Sequence, residues 1–134
     1  MAVLTLAEAP QPAAASTSAW FASIACMYSG LTHERIHFMF HNAAGRHVGA
    51  VSFEGDVGSA SFDTLTVLRT AIVREAASIL VAHNHPSGKA LPSLGDCEAT
   101  RNLAVACRAV GLRLSDHLIV AENNVFSFRG NGLM

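Results

Sequence analysis

The chain has 134 residues, a formal net charge of −1 and a single lysine, Lys89; hydrophobic residues make up 51% of it and charged residues 14%. This length fits one globular domain, and the near-neutral charge excludes the basic surface on which nucleic-acid binding usually depends. Three cysteines without a C-x-x-C pair also exclude a disulfide framework and a cysteine-rich zinc site, so we expect them to be buried apolar side chains.

The N-terminal residues 1–18 are predicted to be a flexible tether, because residues 8–18 are small, polar or proline. We expect one domain over residues 19–134. The apolar start is too short for a secretory signal and carries no basic residue before Arg35, and no apolar run approaches the roughly 20 residues of a membrane span. The sequence therefore predicts a cytoplasmic protein with no membrane contact.

Hydrophobic periodicity predicts helices and strands in alternation, which is typical of a small α/β sandwich with a mixed sheet. Capping residues and turn residues mark most of the boundaries. The predicted helices are Ser18–Tyr28, Asp63–Ala77 and Ser93–Val110, and the predicted strands are Glu34–His41, His47–Phe53, Ser78–Ala82, Leu118–Ala121 and Val125–Phe128.

Seven histidines against one lysine raise the question of a metal site, because histidine is the commonest metal ligand among side chains. A literal H-E-x-x-H occurs at residues 33–37, but that motif binds zinc only on a helix. Here the alternation of Ile36, Phe38 and Phe40 favours a strand, in which residues i and i+4 lie about 13 Å apart. We therefore expect His33 and His37 to be surface histidines.

A second candidate follows the predicted strand Ser78–Ala82. His83 and His85 are two residues apart, so in an extended chain both point to the same side, with Cα atoms about 7 Å apart. Asp96 lies in the first turn of the next predicted helix, where its carboxylate can supply a third ligand. Two histidines and one aspartate leave the fourth tetrahedral position open, as in catalytic zinc sites. The context favours this set over the H-E-x-x-H pair.

The spacing H-x-H-x10-D, with Ser93 three residues before Asp96, resembles that of the JAMM (MPN-type) zinc metalloproteases. The longer string of residues 83–88 (HNHPSG), with Pro92, Thr100 and the tail from Asp116 to Val120, is similar to the RadC branch, over about residues 20–134. The resemblance implies a three-layer α/β/α sandwich of the MPN or cytidine-deaminase-like type. RadC-like chains commonly carry an N-terminal helix-hairpin-helix domain, which we expect this chain to lack.

The resemblance also implies residue roles. Zn²⁺ is expected on His83, His85 and Asp96. Glu34 is the expected general base, with Glu54 in reserve. Ser93 is expected to donate a hydrogen bond to the oxyanion, and its sequence position fits a helix N-cap equally well.

The implied function is hydrolysis of peptide or isopeptide bonds, with a peptide or protein conjugate as substrate. An alternative from another class is a non-catalytic MPN-like adaptor, or a DNA-repair-associated protein, whose metal site is structural or vestigial. A homodimer is a further expectation for so short a chain with exposed hairpins. Lys89 is expected to be a solvated loop residue, and His117 to be a packing residue.

Overall fold

A computed structural model describes residues 3–5, 17–55, 62–122 and 124–134. The elements of these residues are six strands interspersed with three helices, as expected for the α/β class. In chain order they are β1 (Val3–Thr5), α1 (Thr17–Cys26), β2 (Arg35–His41), β3 (His47–Glu54), α2 (Thr64–Val73), β4 (Ser78–Asn84), α3 (Leu94–Ala109), β5 (Arg113–Ala121) and β6 (Asn124–Ser127).

The six strands form one sheet in the order β1-β3-β2-β4-β5-β6. β4 and β5 pair in parallel, since helix α3 provides the crossover between them, and every other neighbouring pair is antiparallel. The prediction of an α/β fold with a mixed sheet is confirmed. β4 lies in the interior of the sheet, so its carboxyl end opens between β2 and β5.

Apolar side chains cover both faces of this sheet. Alternate residues of β2 and β4, such as Phe38 and Val81, pack with α2 and α3 on one face. The intervening residues, such as Met39 and Leu80, pack with Ile24 of α1 on the other face. Because both faces of β4 are covered, all seven of its residues are buried, which explains the unbroken apolar run in the sequence.

The covering by α1 makes one expectation about the histidines wrong. His37 was expected at the surface, yet it is 2% exposed and its Nδ1 lies 2.6 Å from the Tyr28 hydroxyl. His41 is buried as well, because the β2 face that carries these histidines is not turned to solvent. The alternation of β2 was predicted correctly, but its second face is not a solvent face.

Two helices end earlier than predicted. α1 begins at Thr17 and ends at Cys26, so Ser18 lies inside it, and a tighter turn follows in which the Tyr28 N–H donates to the Ala25 carbonyl at 3.1 Å. α2 was predicted over Asp63–Ala77; Asp63 is its N-cap, and the helix ends at Val73.

The end of α2 is a Schellman motif without glycine. Glu75 adopts φ 55°, and the N–H of Ala76 donates to the Ala71 carbonyl at 2.9 Å. The left-handed conformation at this position usually selects glycine, so nothing in the residue types signals the end of the helix.

The predicted tether falls largely outside the described residues. Residues 3–5 of it form β1, which pairs with β3, and residues 17–18 belong to α1; for residues 6–16 the tether stays a prediction. All three cysteines are free, but only Cys107 is buried: Cys97 is partly exposed and Cys26 is exposed, so the expected burial of those two was wrong. Among the described residues, no helix combines the length and apolarity that a membrane span requires.

Candidate metal centre

The carboxyl end of β4 places two imidazoles on one side of the sheet. His83 is 1% exposed, and Ile36 of β2 and Ile119 of β5 flank it in the sheet. The backbone N–H of His85 still donates to the Val120 carbonyl at 2.9 Å, so the extended conformation continues past the last residue of β4. Both side chains therefore project from a rigid strand end rather than from a free loop.

A tight turn then fixes the ring of His85. The Gly88 N–H donates to the His85 carbonyl at 3.1 Å, and Gly88 itself has φ 85°, a conformation that favours glycine. The turn brings the Lys89 carbonyl within 2.9 Å of His85 Nδ1. That carbonyl can only accept, so Nδ1 carries the proton and the lone pair of Nε2 faces the pocket. Lys89 contributes its backbone here, and its side chain is exposed, as predicted.

The third candidate ligand comes from the first turn of α3. Ser93 is the N-cap: its Oγ accepts from the Asp96 N–H at 3.0 Å, and Asp96 Oδ2 accepts from the Ser93 N–H at 2.8 Å. This reciprocal capping box holds the Asp96 carboxylate at the helix start, turned toward the end of β4. The predicted capping role of Ser93 is confirmed.

The three side chains converge on one point. His83 Nε2 lies 3.0 Å from His85 Nε2 and 3.3 Å from Asp96 Oδ1, and His85 Nε2 lies 3.1 Å from Asp96 Oδ2. Ligands about 2.0 Å from a tetrahedral ion are about 3.3 Å from each other, so these separations fit one small cation. Among the described residues, this is the one group of at least three His, Cys, Asp or Glu side chains close enough to hold a metal ion. The set can bind a metal.

The electrostatics favour positive charge between these groups. Burial alone would raise the pKa of Asp96, but its contacts with the His83 and His85 imidazoles and a hydrogen bond from the Ser93 N–H outweigh it and hold the pKa well below its usual range. The Asp96 carboxylate in turn raises the pKa of His85, against the effect of burial. The charge of Glu34 raises it further by a smaller amount. Ionised Asp96 thus attracts whichever cation, proton or metal, lies between the imidazoles.

Glu34 lies in the same pocket as the three candidate ligands, as predicted. It is 7% exposed and lines a cavity of about 600 Å³ together with His83, His85 and Asp96. Its backbone carbonyl accepts from the Gly55 N–H at 2.9 Å. This hydrogen bond fixes the backbone of Glu34, from which the carboxylate extends into the pocket.

Asn84, which lies between His83 and His85 in the sequence, also holds the backbone around Glu34 in place. Its Oδ1 accepts from the Arg35 N–H at 2.7 Å and its Nδ2 donates to the His33 carbonyl at 3.0 Å. These bonds bracket Glu34 on both sides and continue the β2–β4 ladder beyond its last pair. No sequence motif singles out Asn84, although strand alternation already directs it away from the side of His83 and His85.

The reserve candidate, Glu54, has a different partner. Its carboxylate forms an ion pair with the Arg35 guanidinium and lies 3.7 Å from His33 Nε2. The hydrogen bond from Arg35 is the largest cause of its lowered pKa. Glu54 therefore acts as the counter-ion of Arg35, and Glu34 is the carboxylate beside the candidate ligands.

Within the described residues, the two histidines of the H-E-x-x-H segment do not converge on a metal site. The strand predicted over it is confirmed, because β2 begins at Arg35. His33 lies near Glu54, with its Nε2 3.7 Å from the carboxylate, whereas His37 contacts Tyr28 further along the strand. The two histidines thus have separate surroundings, as the strand geometry requires.

His117 has polar contacts that the sequence reasoning missed. Its ring packs parallel to Phe128, as expected of a packing residue, with centroids 4.7 Å apart. Its Nε2 also lies 2.7 Å from His83 Nδ1, and its Nδ1 lies 2.6 Å from the Thr100 hydroxyl. Burial lowers the pKa of His117 to about 3, so the ring is neutral near pH 7. The one sequence signal is a histidine directly before the apolar run of residues 118–121.

Fold and site together define an α/β domain whose central strand ends in a candidate His-His-Asp metal centre. A family model described as "RadC-like JAB domain" matches residues 14–133 of the chain. The chain therefore belongs to the RadC-like JAB domain family, and the predicted resemblance is confirmed.

Three relatives carry the same family title, UPF0758. The chain is 36% identical to the UPF0758 protein YeeS of Escherichia coli (strain K12), over 79% of this chain and 72% of that protein. It is 38% identical to the UPF0758 protein STH371 of Symbiobacterium thermophilum, over 85% of this chain and 49% of the relative. It is 45% identical to the UPF0758 protein PsycPRwf_0491 of Psychrobacter sp., over 58% of this chain and 34% of that protein. The chain thus matches half or less of the length of the latter two relatives.

Proposed function

We propose that this chain is a zinc-dependent hydrolase of peptide or isopeptide bonds, built on a three-layer α/β/α sandwich of the MPN or cytidine-deaminase-like type. The observation that carries the proposal is the convergence of His83, His85 and Asp96 in a pocket that also contains the Glu34 carboxylate. Three neutral or anionic N/O ligands with one open position are typical of catalytic zinc sites, whereas structural sites are closed by a fourth protein ligand.

The donor set favours zinc among the common metals. Two imidazole nitrogens and one carboxylate suit Zn²⁺, whereas Mg²⁺ and Ca²⁺ take oxygen ligands almost exclusively. A zinc ion held by these side chains supplies Lewis acidity, which lowers the pKa of water toward 7 and polarises a carbonyl oxygen.

Glu34 supplies the proton transfer in this proposal. Its carboxylate takes a proton from the attacking water and passes it to the leaving amine, so one group serves as base and then as acid. Glu34 is buried, and the bonds from Asn84 to the backbone on both sides of it restrict the positions that the carboxylate can take.

Ser93 can serve catalysis and the helix cap together. The capping bond uses a lone pair of its Oγ and leaves the hydroxyl hydrogen for a donated bond. Ser93 lines the same pocket as the candidate ligands and is exposed to it. We propose that this hydrogen stabilises the oxyanion of the tetrahedral intermediate, a contact typically worth about 3 kcal/mol.

The pocket suits a peptide or protein-conjugate substrate. Beyond the polar side chains it is lined by apolar residues, including Phe62, Leu91 and Leu103. Leu91 is 65% exposed and lies on the same connection as Pro92, so it forms an apolar rim against which an extended chain can pack.

Metal content tests the proposal. The purified chain is expected to bind one zinc ion per molecule and to lose it in His83→Ala, because that change removes one of three ligands. The matched control is His33→Ala, which removes the first histidine of the H-E-x-x-H segment and should leave the stoichiometry at one. Elemental analysis after dialysis measures both. If His33→Ala loses the metal and His83→Ala keeps it, the site assignment is wrong.

Hydrolysis of a peptide library and of protein conjugates by the zinc-loaded chain tests the enzymatic part. Turnover that disappears with a chelator and returns with zinc is the expected result. If stoichiometric zinc is bound and no peptide or conjugate is cleaved, the adaptor alternative with a structural metal replaces the proposal.

Asn84→Ala should slow hydrolysis about 10- to 100-fold while zinc stays bound, because Glu34 loses the amide that brackets it. Asn84→Gln is the comparison: it keeps the amide but displaces it by one methylene, so partial activity is expected. Steady-state rates and zinc content of both variants measure the effect. Equal rates for wild type and Asn84→Ala would show that Gly55 and the sheet alone position Glu34.

A further inference from the structure

Two buried polar side chains beside the candidate ligands have no part in the mechanism proposed above. Thr100 and His117 are 3% and 4% exposed, and they form a chain of short contacts that runs from α3 through β5 to β4. The Thr100 hydroxyl lies 2.6 Å from the Asp96 carbonyl and 2.6 Å from His117 Nδ1, and His117 Nε2 lies 2.7 Å from His83 Nδ1.

The direction of each hydrogen bond in this series follows from the Asp96 carbonyl at its start. The Asp96 carbonyl can only accept, so the single hydroxyl hydrogen of Thr100 is donated to it. The Thr100 oxygen must then accept from His117 Nδ1–H. His117 Nε2 is left with a lone pair, which accepts from His83 Nδ1–H. The proton of His83 is thereby assigned to Nδ1, and its Nε2 presents a lone pair to His85 and Asp96.

We propose that His117 and Thr100 are positioning residues that fix the tautomer and the ring orientation of His83 for metal binding; the inference rests on the metal centre of the proposed function. This series of hydrogen bonds begins at the Asp96 carbonyl and ends at His83, while the Asp96 carboxylate lies 3.3 Å from His83 Nε2. The hydrogen bonds and the proposed metal bonds therefore close a ring through Asp96, which ties the start of α3 to the end of β4.

The two proposed histidine ligands are thus oriented by different means. His85 donates its Nδ1–H to the Lys89 carbonyl, which is backbone and cannot be removed by substitution. His83 donates to a side chain, His117, which stacks on Phe128. A partner that receives the second N–H of a histidine ligand typically changes metal affinity 10- to 100-fold when it is lost.

Two variants of His117 separate positioning from packing. His117→Gln keeps an acceptor for His83 Nδ1–H and a donor for Thr100, but loses the aromatic ring. His117→Phe keeps the ring and its stacking on Phe128, but loses both hydrogen bonds. We expect zinc affinity, measured by competition with a chromophoric chelator, to fall 10- to 100-fold in His117→Phe and to stay within a few-fold of wild type in His117→Gln.

A packing role alone predicts the reverse order, so that result would overturn the inference, as would equal affinities of wild type and His117→Phe. Far-UV circular dichroism and thermal unfolding in excess chelator check that each variant folds. Should His117→Phe fail to fold, the pair Thr100→Val and Thr100→Ser replaces it. Thr100→Val removes the acceptor for His117 with little change of shape and should weaken zinc binding, whereas Thr100→Ser keeps the hydroxyl and should not.

Nitrogen-15 NMR of the zinc-loaded wild type gives a direct readout. His83 and His117 should each carry a proton on Nδ1, and a zinc-loaded His83 with its proton on Nε2 would overturn the inference. None of these measurements uses hydrolysis. If zinc binds and His117→Phe weakens it, but no substrate is cleaved, the enzymatic proposal fails and this inference stands; if the wild type binds no zinc, both fail.

Discussion

Replacing Glu34 with glutamine is expected to lower hydrolysis by about 10² to 10⁴-fold and to leave zinc binding unchanged. The amide is nearly isosteric with the carboxylate but cannot take a proton from water. Because Glu34 lines the pocket without being one of the three converging ligands, its loss should affect proton transfer and not the metal. Steady-state rates together with zinc content, measured on the same preparation, test this split.

Glu54→Gln is the matched control for this prediction. Glu54 pairs across β2 and β3 with Arg35, the residue that follows Glu34, and makes an ion pair with it. The same substitution there removes a partly exposed ion pair, for which a small effect on stability is expected. If Glu54→Gln abolishes hydrolysis and Glu34→Gln does not, the base has been assigned to the wrong carboxylate. If Glu34→Gln loses zinc, the residue acts as a ligand.

The proposed ligands could be predicted from the sequence because each depends on local geometry. Strand alternation places His83 and His85 on one side, and a capping residue places Asp96 in the first helical turn. These rules need only a few neighbouring residues, and they also separated this set from the H-E-x-x-H segment. The structure brings all three side chains together where the pattern indicated.

The rest depends on contacts between distant parts of the chain. His117 meets His83 across 34 residues, and Asn84 meets the backbone of β2 across about 50. Their roles follow from the order of the strands, which no local pattern specifies. The burial of His37 is a similar case, because it depends on where α1 packs. The early end of α2 could not be predicted for another reason: Glu75 adopts a conformation that its residue type does not favour.

The burial of His37 gives the second prediction: in the presence of a chelator, the free energy of unfolding should fall as the pH drops from 6.5 to about 4. Burial is the largest cause that lowers the pKa of His37, from 6.5 to about 4, and the Arg35 charge adds to it. Between these two values the unfolded chain binds a proton that the folded chain does not. The contribution of His37 to the free energy of unfolding is therefore intact above pH 6.5, and it has fallen by about 3 kcal/mol at pH 4.

The contact with Tyr28 allows this contribution to be isolated. The Tyr28 hydroxyl donates to the Ala82 carbonyl at 2.8 Å, so its oxygen accepts from His37 Nδ1–H. His37→Gln can still donate to that oxygen but does not titrate, and urea unfolding from pH 7.5 to 4.5 should show a shallower loss of stability than in the wild type.

Other histidines also have shifted pKa values, and they affect how the pH dependence of the variant is interpreted. Burial also lowers the pKa of His41, His47 and His117, so the variant should retain some loss of stability toward acid pH. Asp96 raises the pKa of His85, which acts in the opposite direction but equally in both proteins, so the difference between them cancels it. Tyr28→Phe removes the hydroxyl and leaves His37 able to titrate, so it should lower stability at every pH and keep the steep slope. Equal slopes in the wild type and His37→Gln would mean that His37 reaches water before the domain unfolds.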